Sequence, residues 1–225
     1  MTVSPIRVAA LLFDFDGVLV ETEYDGNRHI AEYLTGIGHP TTAKDSMANF
    51  MGLSGGAFTD AIERWIGAPL PAEFWTVREA ENARALRDGV DAVAGAVDFV
   101  RSLPADLPRA IVSSSTTAWI RAHLDHIDLA NAFGDHIYSG KEHVARGKPA
   151  PDLYLHAADR LGVAITDCAI LEDSPVGVTG AVASGGYVIG LCAGTHCGIG
   201  HADRLEALGV DAVADDYAEV ARLLA

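Results

Sequence analysis

Short, unbroken apolar runs that stop abruptly at polar residues recur along the chain. Val8-Ala-Ala-Leu-Leu-Phe13 ends at Asp14, Ala110-Ile-Val112 ends at Ser113, and Cys168-Ala-Ile-Leu171 ends at Glu172 and Asp173. His136-Ile-Tyr138, Tyr187-Val-Ile189 and Ala212-Val-Ala214 are weaker instances of the same pattern. Continuous rather than alternating hydrophobicity marks strands covered on both faces, as in a parallel sheet. Helical signals fill the gaps. Pro151 stands at a first helical position with Gly162 as its stop, and Ser174-Pro175 opens a helix that closes near Gly185. Strand and helix in alternation predict a doubly wound, Rossmann-like α/β domain with a parallel sheet.

One stretch breaks the alternation. Between Leu19 and Asp88 the pattern predicts helices near Thr22–Leu34, Thr42–Phe50, Ala57–Ile66 and Pro71–Arg87, and no strand. The expected organisation is an α/β core from residues 1–18 and 89–225, carrying an inserted α-helical cap domain at 19–88.

Composition narrows the function classes. The chain has 225 residues, 49% of them apolar, enough for a sizeable core. Its formal net charge is -15, from 16 Lys plus Arg against 31 Asp plus Glu. Such a field repels nucleic acid and anionic lipid, so neither is an expected partner. A phosphorylated metabolite is repelled as well, unless a metal or a placed lysine supplies local positive charge. Cys168, Cys192 and Cys197 do not form a disulfide framework, which points to reducing cytoplasm. The first residues lack the order of a secretory leader, and no apolar run is long enough to span a membrane. A monomer or small homo-oligomer is expected.

Ligands of open α/β sheets bind beyond the carboxyl ends of the strands. Asp14 and Asp16, Ser113 to Ser115, and Glu172 and Asp173 all fall there, and Lys148 stands just before a helix that reaches the same edge. Carboxylates so crowded need a cation, and Mg²⁺ takes oxygen ligands while leaving room for water and phosphate. A serine with the amides after it can cradle phosphate, a lysine adds charge, and an Asp carboxylate can itself become phosphorylated.

Phe13-Asp-Phe-Asp-Gly-Val-Leu-Val-Glu-Thr22 resembles the first signature of the haloacid dehalogenase superfamily. Ser113 resembles the second, Lys148 in Lys148-Pro-Ala-Pro-Asp152 the third, and Leu171-Glu-Asp-Ser-Pro-Val-Gly177 the fourth. The helical insert resembles the cap of the β-phosphoglucomutase-like branch. The resemblance implies Asp14 as nucleophile and Asp16 as the acid and base. It implies Lys148, Ser113, Ser114 and Thr22 around the transferring phosphate. It implies Mg²⁺ held by Asp14, Asp16 (through its carbonyl) and Asp173, with Glu172 nearby.

The implied activity is hydrolysis of a small phosphorylated metabolite, a sugar phosphate or sugar-acid phosphate, through an aspartyl phosphate. The rival is phosphate isomerisation of the β-phosphoglucomutase kind. Three departures count against it. Gly26 stands where such mutases carry a cap histidine, Gly55 in Met51-Gly-Leu-Ser-Gly55 where they carry an arginine, and Thr116 where they carry a lysine. A non-catalytic binding protein on this fold is the third reading, and no missing nucleophile or ligand favours it.

Other residues take plainer readings. Asp152 reads as a helix cap, and Ser115 reads equally as a turn residue. Trp65 and Trp75 read as core of the insert, and Arg28 and Lys44 as solvated. Cys192, His196, Cys197 and His201 do not match the usual spacing of zinc clusters and read as a loop near the cap interface.

Overall fold

The computed structural model describes residues 8–53 and 55–225. Residues 1–7, assigned to the core domain from sequence, and Ser54, in the segment compared with mutases, lie outside the described residues. Six parallel strands form one sheet: β1 (Ala10–Phe13), β2 (Arg109–Ser113), β3 (Ile137–Ser139), β4 (Cys168–Glu172), β5 (Tyr187–Leu191) and β6 (Ala212–Ala214). Their order is β3-β2-β1-β4-β5-β6, so the chain winds outward in both directions from β1. This is the doubly wound fold expected from the apolar runs.

The runs are unbroken because each central strand feeds two cores. Leu11 and Phe13 of β1 join one cluster, with Ile120, Leu124 and Tyr217. Ala10 and Leu12 face the other, with Tyr154, Ala157 and Ala181. Helices α5 (Ala96–Ser102), α6 (Thr117–His126) and α10 (Tyr217–Leu223) supply the first layer. Helices α7 (Asp152–Leu161) and α8 (Pro175–Ser184) supply the second, and α9 (His201–Ala207) packs beside β5 and β6.

Four helices intervene after β1: α1 (Glu23–Gly36), α2 (Ala43–Phe50), α3 (Gly55–Ile66) and α4 (Glu73–Asp88). They enclose a separate cluster of Ile30, Leu34, Phe50, Ile62, Ile66 and Phe74. Burying one such side chain fully contributes about 1.5–3 kcal/mol. Thr42 opens α2 with a complete capping box, its hydroxyl accepting from Asp45 N while the Asp45 carboxylate accepts from Thr42 N. Val18, Leu19 and Val20 belong to the sheet's own core, so the helices begin only after them. The outgoing and returning segments lie side by side. Glu21 N donates to Asp91 O at 2.9 Å, Val93 N donates to Leu19 O at 3.0 Å, and Val20 bridges Ala92.

Two sequence readings need correction. Trp65 and Trp75 are 40% and 43% exposed rather than core, because the phenylalanines fill the small interior and the indoles pack edge-on or tilted against its rim. Pro151, not Asp152, holds the capping position of α7, and no side-chain cap bond forms there. Asp152 instead pairs with Arg146, at 3.0 and 2.9 Å. Arg28, read as solvated, keeps a side chain 39% exposed and pairs with Asp25 and Glu32 on its own helix.

Candidate active site

Strand register assembles the site. Phe13 pairs with Leu171, and Asp14 N donates to Leu171 O at 2.9 Å. Asp14 therefore leaves β1 beside Glu172 and Asp173 leaving β4. One carboxylate oxygen from each of Asp14, Glu172 and Asp173 lies within 4.8 Å of the others, and all three residues are buried. Lys148 Nζ donates to Asp14 Oδ1 at 2.6 Å and to Glu172 Oε1 at 2.5 Å. Tyr154 OH donates to the same Glu172 oxygen at 2.5 Å. The other Glu172 oxygen lies against Gly177 at the start of α8, where an added Cβ would meet it at 1.9 Å. A helix N-terminus favours a carboxylate so placed.

Burial sets the electrostatics. Loss of solvent, and then Glu172, push Asp14 well above the usual carboxylate range, while Lys148 opposes them. Burial and Glu172 likewise raise Asp173. Burial presses the Lys148 ammonium down, but Asp14 and Glu172 outweigh it and hold the lysine above its ordinary value. One ammonium faces three carboxylates, so the site lacks positive charge. Neither Asp173 oxygen has a well-formed hydrogen bond among the described residues, although His196 Nε2 stands 2.8 Å from Oδ2. Orphaned, buried carboxylate oxygens of this kind fit a hard, oxygen-liganded divalent cation.

Asp16 is held apart from this nest. It accepts from Thr22 Oγ1 at 2.8 Å, Ser115 Oγ at 2.6 Å, Trp119 Nε1 at 3.3 Å and Ser113 Oγ at 3.5 Å. Ser113 Oγ also accepts from Ser115 N at 2.9 Å, which closes the turn after β2. Ser114 is exposed at the tip of that turn. Gly17 makes the tight turn after Asp16 possible: its φ is +84°, and an added Cβ would meet Asp173 Oδ2 at 2.1 Å.

All of the sequence-predicted site residues thus fall on one sheet edge. Asp14, Asp16, Thr22, Ser113, Ser114 and Lys148 line a cavity of about 840 Å³ that opens between the sheet and the helices. Gly26 and Gly55 line it too, and Thr116 caps α6 by accepting from Trp119 N. Sequence reasoning missed Tyr154 and Trp119, and left Ser115 undecided. It placed His196 on a loop near the cap interface, and the burial of that ring between Gly17 and Gly194 carries no short-range signal.

A family profile described as haloacid dehalogenase-like hydrolase matches residues 8–185. The chain belongs to the haloacid dehalogenase-like hydrolases. The hydrolase is 33% identical to the fructose-1-phosphate phosphatase of Escherichia coli, over 80% of this chain and 94% of that one. It is 27% identical to the 6-phosphogluconate phosphatase of the same organism, over 84% of this chain and 85% of the other. A haloacid dehalogenase family hydrolase from Deinococcus radiodurans, solved with bound phosphate and sodium, superposes with a TM-score of 0.79 at 32% identity, covering 96% of this chain and 94% of its own. No helix among the described residues is long and apolar enough to cross a membrane.

Proposed function

We propose that this hydrolase is a Mg²⁺-dependent phosphatase of small polyhydroxylated phosphates, acting through an aspartyl phosphate on Asp14. The observation that supports this most is the convergence of Asp14, Lys148, Glu172 and Asp173 at one end of the cavity. Asp14, Glu172, Asp173 and the Asp16 carbonyl would hold the cation. Bound there, it offsets the carboxylate charge and the charge that develops on the phosphoryl oxygens.

The Asp14 carboxylate attacks phosphorus as the bond to the leaving oxygen breaks, and Asp16 gives that oxygen a proton. Asp16 then takes a proton from the water that attacks the phosphoaspartate, which frees inorganic phosphate and restores Asp14. Lys148, Ser113, the Ser114 amide and Thr22 surround the transferring group. The bonds from Thr22, Ser115 and Trp119 hold Asp16 in one rotamer near this position. Helices α1 to α4, with the 19–88 division read from sequence, act as the cap that closes over the substrate and excludes bulk water.

The relatives and the cavity wall together support this substrate class. Relatives named for sugar and sugar-acid phosphates share most of this chain's length. The wall offers hydrogen-bonding groups to hydroxyls from Arg78, Glu81 and Asn82. Arg78 is tied to Glu81 at 2.6 Å and to the Gly26 carbonyl at 3.3 Å, so it is not a ready grip for a second phosphate. That favours water over a sugar hydroxyl as acceptor. A reducing cytoplasm suits the free cysteines. The deciding experiment is phosphate release from a panel of sugar and sugar-acid phosphates with and without Mg²⁺. Equal turnover in EDTA, or by Asp14→Asn, overturns the reading.

A further inference from the structure

The loop between β5 and α9 turns inward. Thr195 N and Oγ1 donate to the Glu21 carboxylate, at 3.0 and 2.7 Å, and this fixes the loop beside the start of the helical insert. His196 follows and enters the interior. Its ring fits only because Gly17 and Gly194 leave room, since a Cβ on either would meet Cε1 at 2.9 or 2.5 Å. One ligating atom from each of His196, Cys197 and His201 lies within 4.8 Å of the other two.

The donors suit a softer ion than the carboxylates do. Cys197 Sγ lies 3.3 Å from His196 Nε2. Tetrahedral zinc, with bonds of about 2.3 Å to sulfur and about 2.0–2.1 Å to nitrogen, sets those two atoms roughly 3.5 Å apart. His201 Nε2 hydrogen-bonds the Asp173 carbonyl at 2.6 Å, and its Nδ1 accepts from Arg204 Nη2 at 3.3 Å, a bond that an ion on Nδ1 would replace. A ligating histidine commonly donates its other N–H to a carbonyl in this way. The spacing along the chain hides the set, because turns at Gly194, Gly198 and Gly200 gather it.

We propose that His196, Cys197 and His201 form a second, three-donor metal site for a thiophilic divalent cation of the zinc class. It is distinct from the all-oxygen site of Asp14, Glu172 and Asp173. Each cysteine that ligates does so as thiolate and releases one proton to solvent. His196 Nε2 also faces Asp173 Oδ2 at 2.8 Å, so an ion on His196 takes the imidazole from that carboxylate. It also sets a second dication beside the Mg²⁺ ligands. The two sites therefore oppose each other, and by linkage each ion weakens the other by the same factor.

Co²⁺ added to the whole protein in saturating Mg²⁺ tests this directly. The expected result is a thiolate-to-cobalt charge-transfer band at one ion per chain, removed by zinc. Cys197→Ser should abolish the band while keeping the melting temperature and the zinc-free turnover of the parent. Zinc should inhibit the parent at a concentration at least about tenfold lower than it inhibits Cys197→Ser. A cobalt complex without the band, or a band at full strength in Cys197→Ser, overturns the site. Equal zinc inhibition of parent and Cys197→Ser places the inhibitory ion on the carboxylates and overturns the coupling.

Discussion

Replacing Lys148 with alanine removes the ammonium from a nest of three buried carboxylates. The side chain is 3% exposed and touches both Asp14 and Glu172, whose own side chain has no exposure. Breaking a buried ion pair by deleting one partner costs about 3–5 kcal/mol, because the other charge stays behind. With an m-value of roughly 3 kcal/mol per molar urea, the metal-free midpoint should fall by about 1–1.7 M. Saturating Mg²⁺ should recover most of this, since a dication offsets the same carboxylates. Turnover behaves differently. Losing one preorganised electrostatic donor lowers kcat on the order of 10²-fold or more, roughly 2.7 kcal/mol of barrier, and Mg²⁺ does not restore it. Lys148→Arg should also fall short, because a planar fork cannot replace a compact ammonium in this space. Urea melts in EDTA and in Mg²⁺, beside kcat on p-nitrophenyl phosphate, separate the two effects. An alanine variant with parental kcat would show that the ammonium does not meet the transferring phosphate. An unmoved midpoint in EDTA would show that it does not offset the buried charge.

Asp14→Asn should retain the fold and lose phosphate release, and near-parental turnover refutes the nucleophile assignment. Asp16→Asn should slow alkyl phosphates more than aryl phosphates, whose leaving groups need less protonation; an equal loss on both contradicts its role as acid. With Mg²⁺, β-glucose 1-phosphate and a trace of the 1,6-bisphosphate, any turnover should give inorganic phosphate, and rapid formation of glucose 6-phosphate would establish a mutase. Metal-free stability should fall with rising pH. Burial, then Asp173 and Asp16, raise Glu23 from 4.5 to about 8, and Asp14 and Asp173 shift the same way. Between those values the folded chain holds protons that the unfolded chain has released, so stability present near pH 4.5 is lost towards pH 8. Thermal melts in EDTA should show that slope and Mg²⁺ should flatten it; a melting temperature that rises over the interval contradicts the sign.

The sheet was legible because each strand is covered on both faces, which leaves an unbroken apolar run with its polar residues at one end. That rule alone brings Asp14, Ser113 and Asp173 to a common edge. The supports of the site follow no such rule. Tyr154 reaches Glu172 from the inner face of α7, and Trp119 reaches Asp16 from the first turn of α6. Both look in sequence like ordinary core aromatics. The capping reading of Asp152 failed because Arg146, on the loop before it, captures the carboxylate first. Trp65 and Trp75 were misplaced because amphipathic period says which face turns inward, not how much volume the interior offers. The pairing of His196 with Asp173 depends on two glycines far apart in sequence, and only the folded chain sets them together.

The stitched pair of segments at Leu19–Glu21 and Asp91–Val93 has a consequence for descent. An insert whose two ends are already fastened to each other asks little of what lies between them. A replacement of different length or packing needs only to bring its ends to the same ribbon, and the sheet keeps its register and its row of carboxylates. The part that reads the substrate can then be rewritten as a cassette, while the part that breaks the phosphate bond is inherited unchanged.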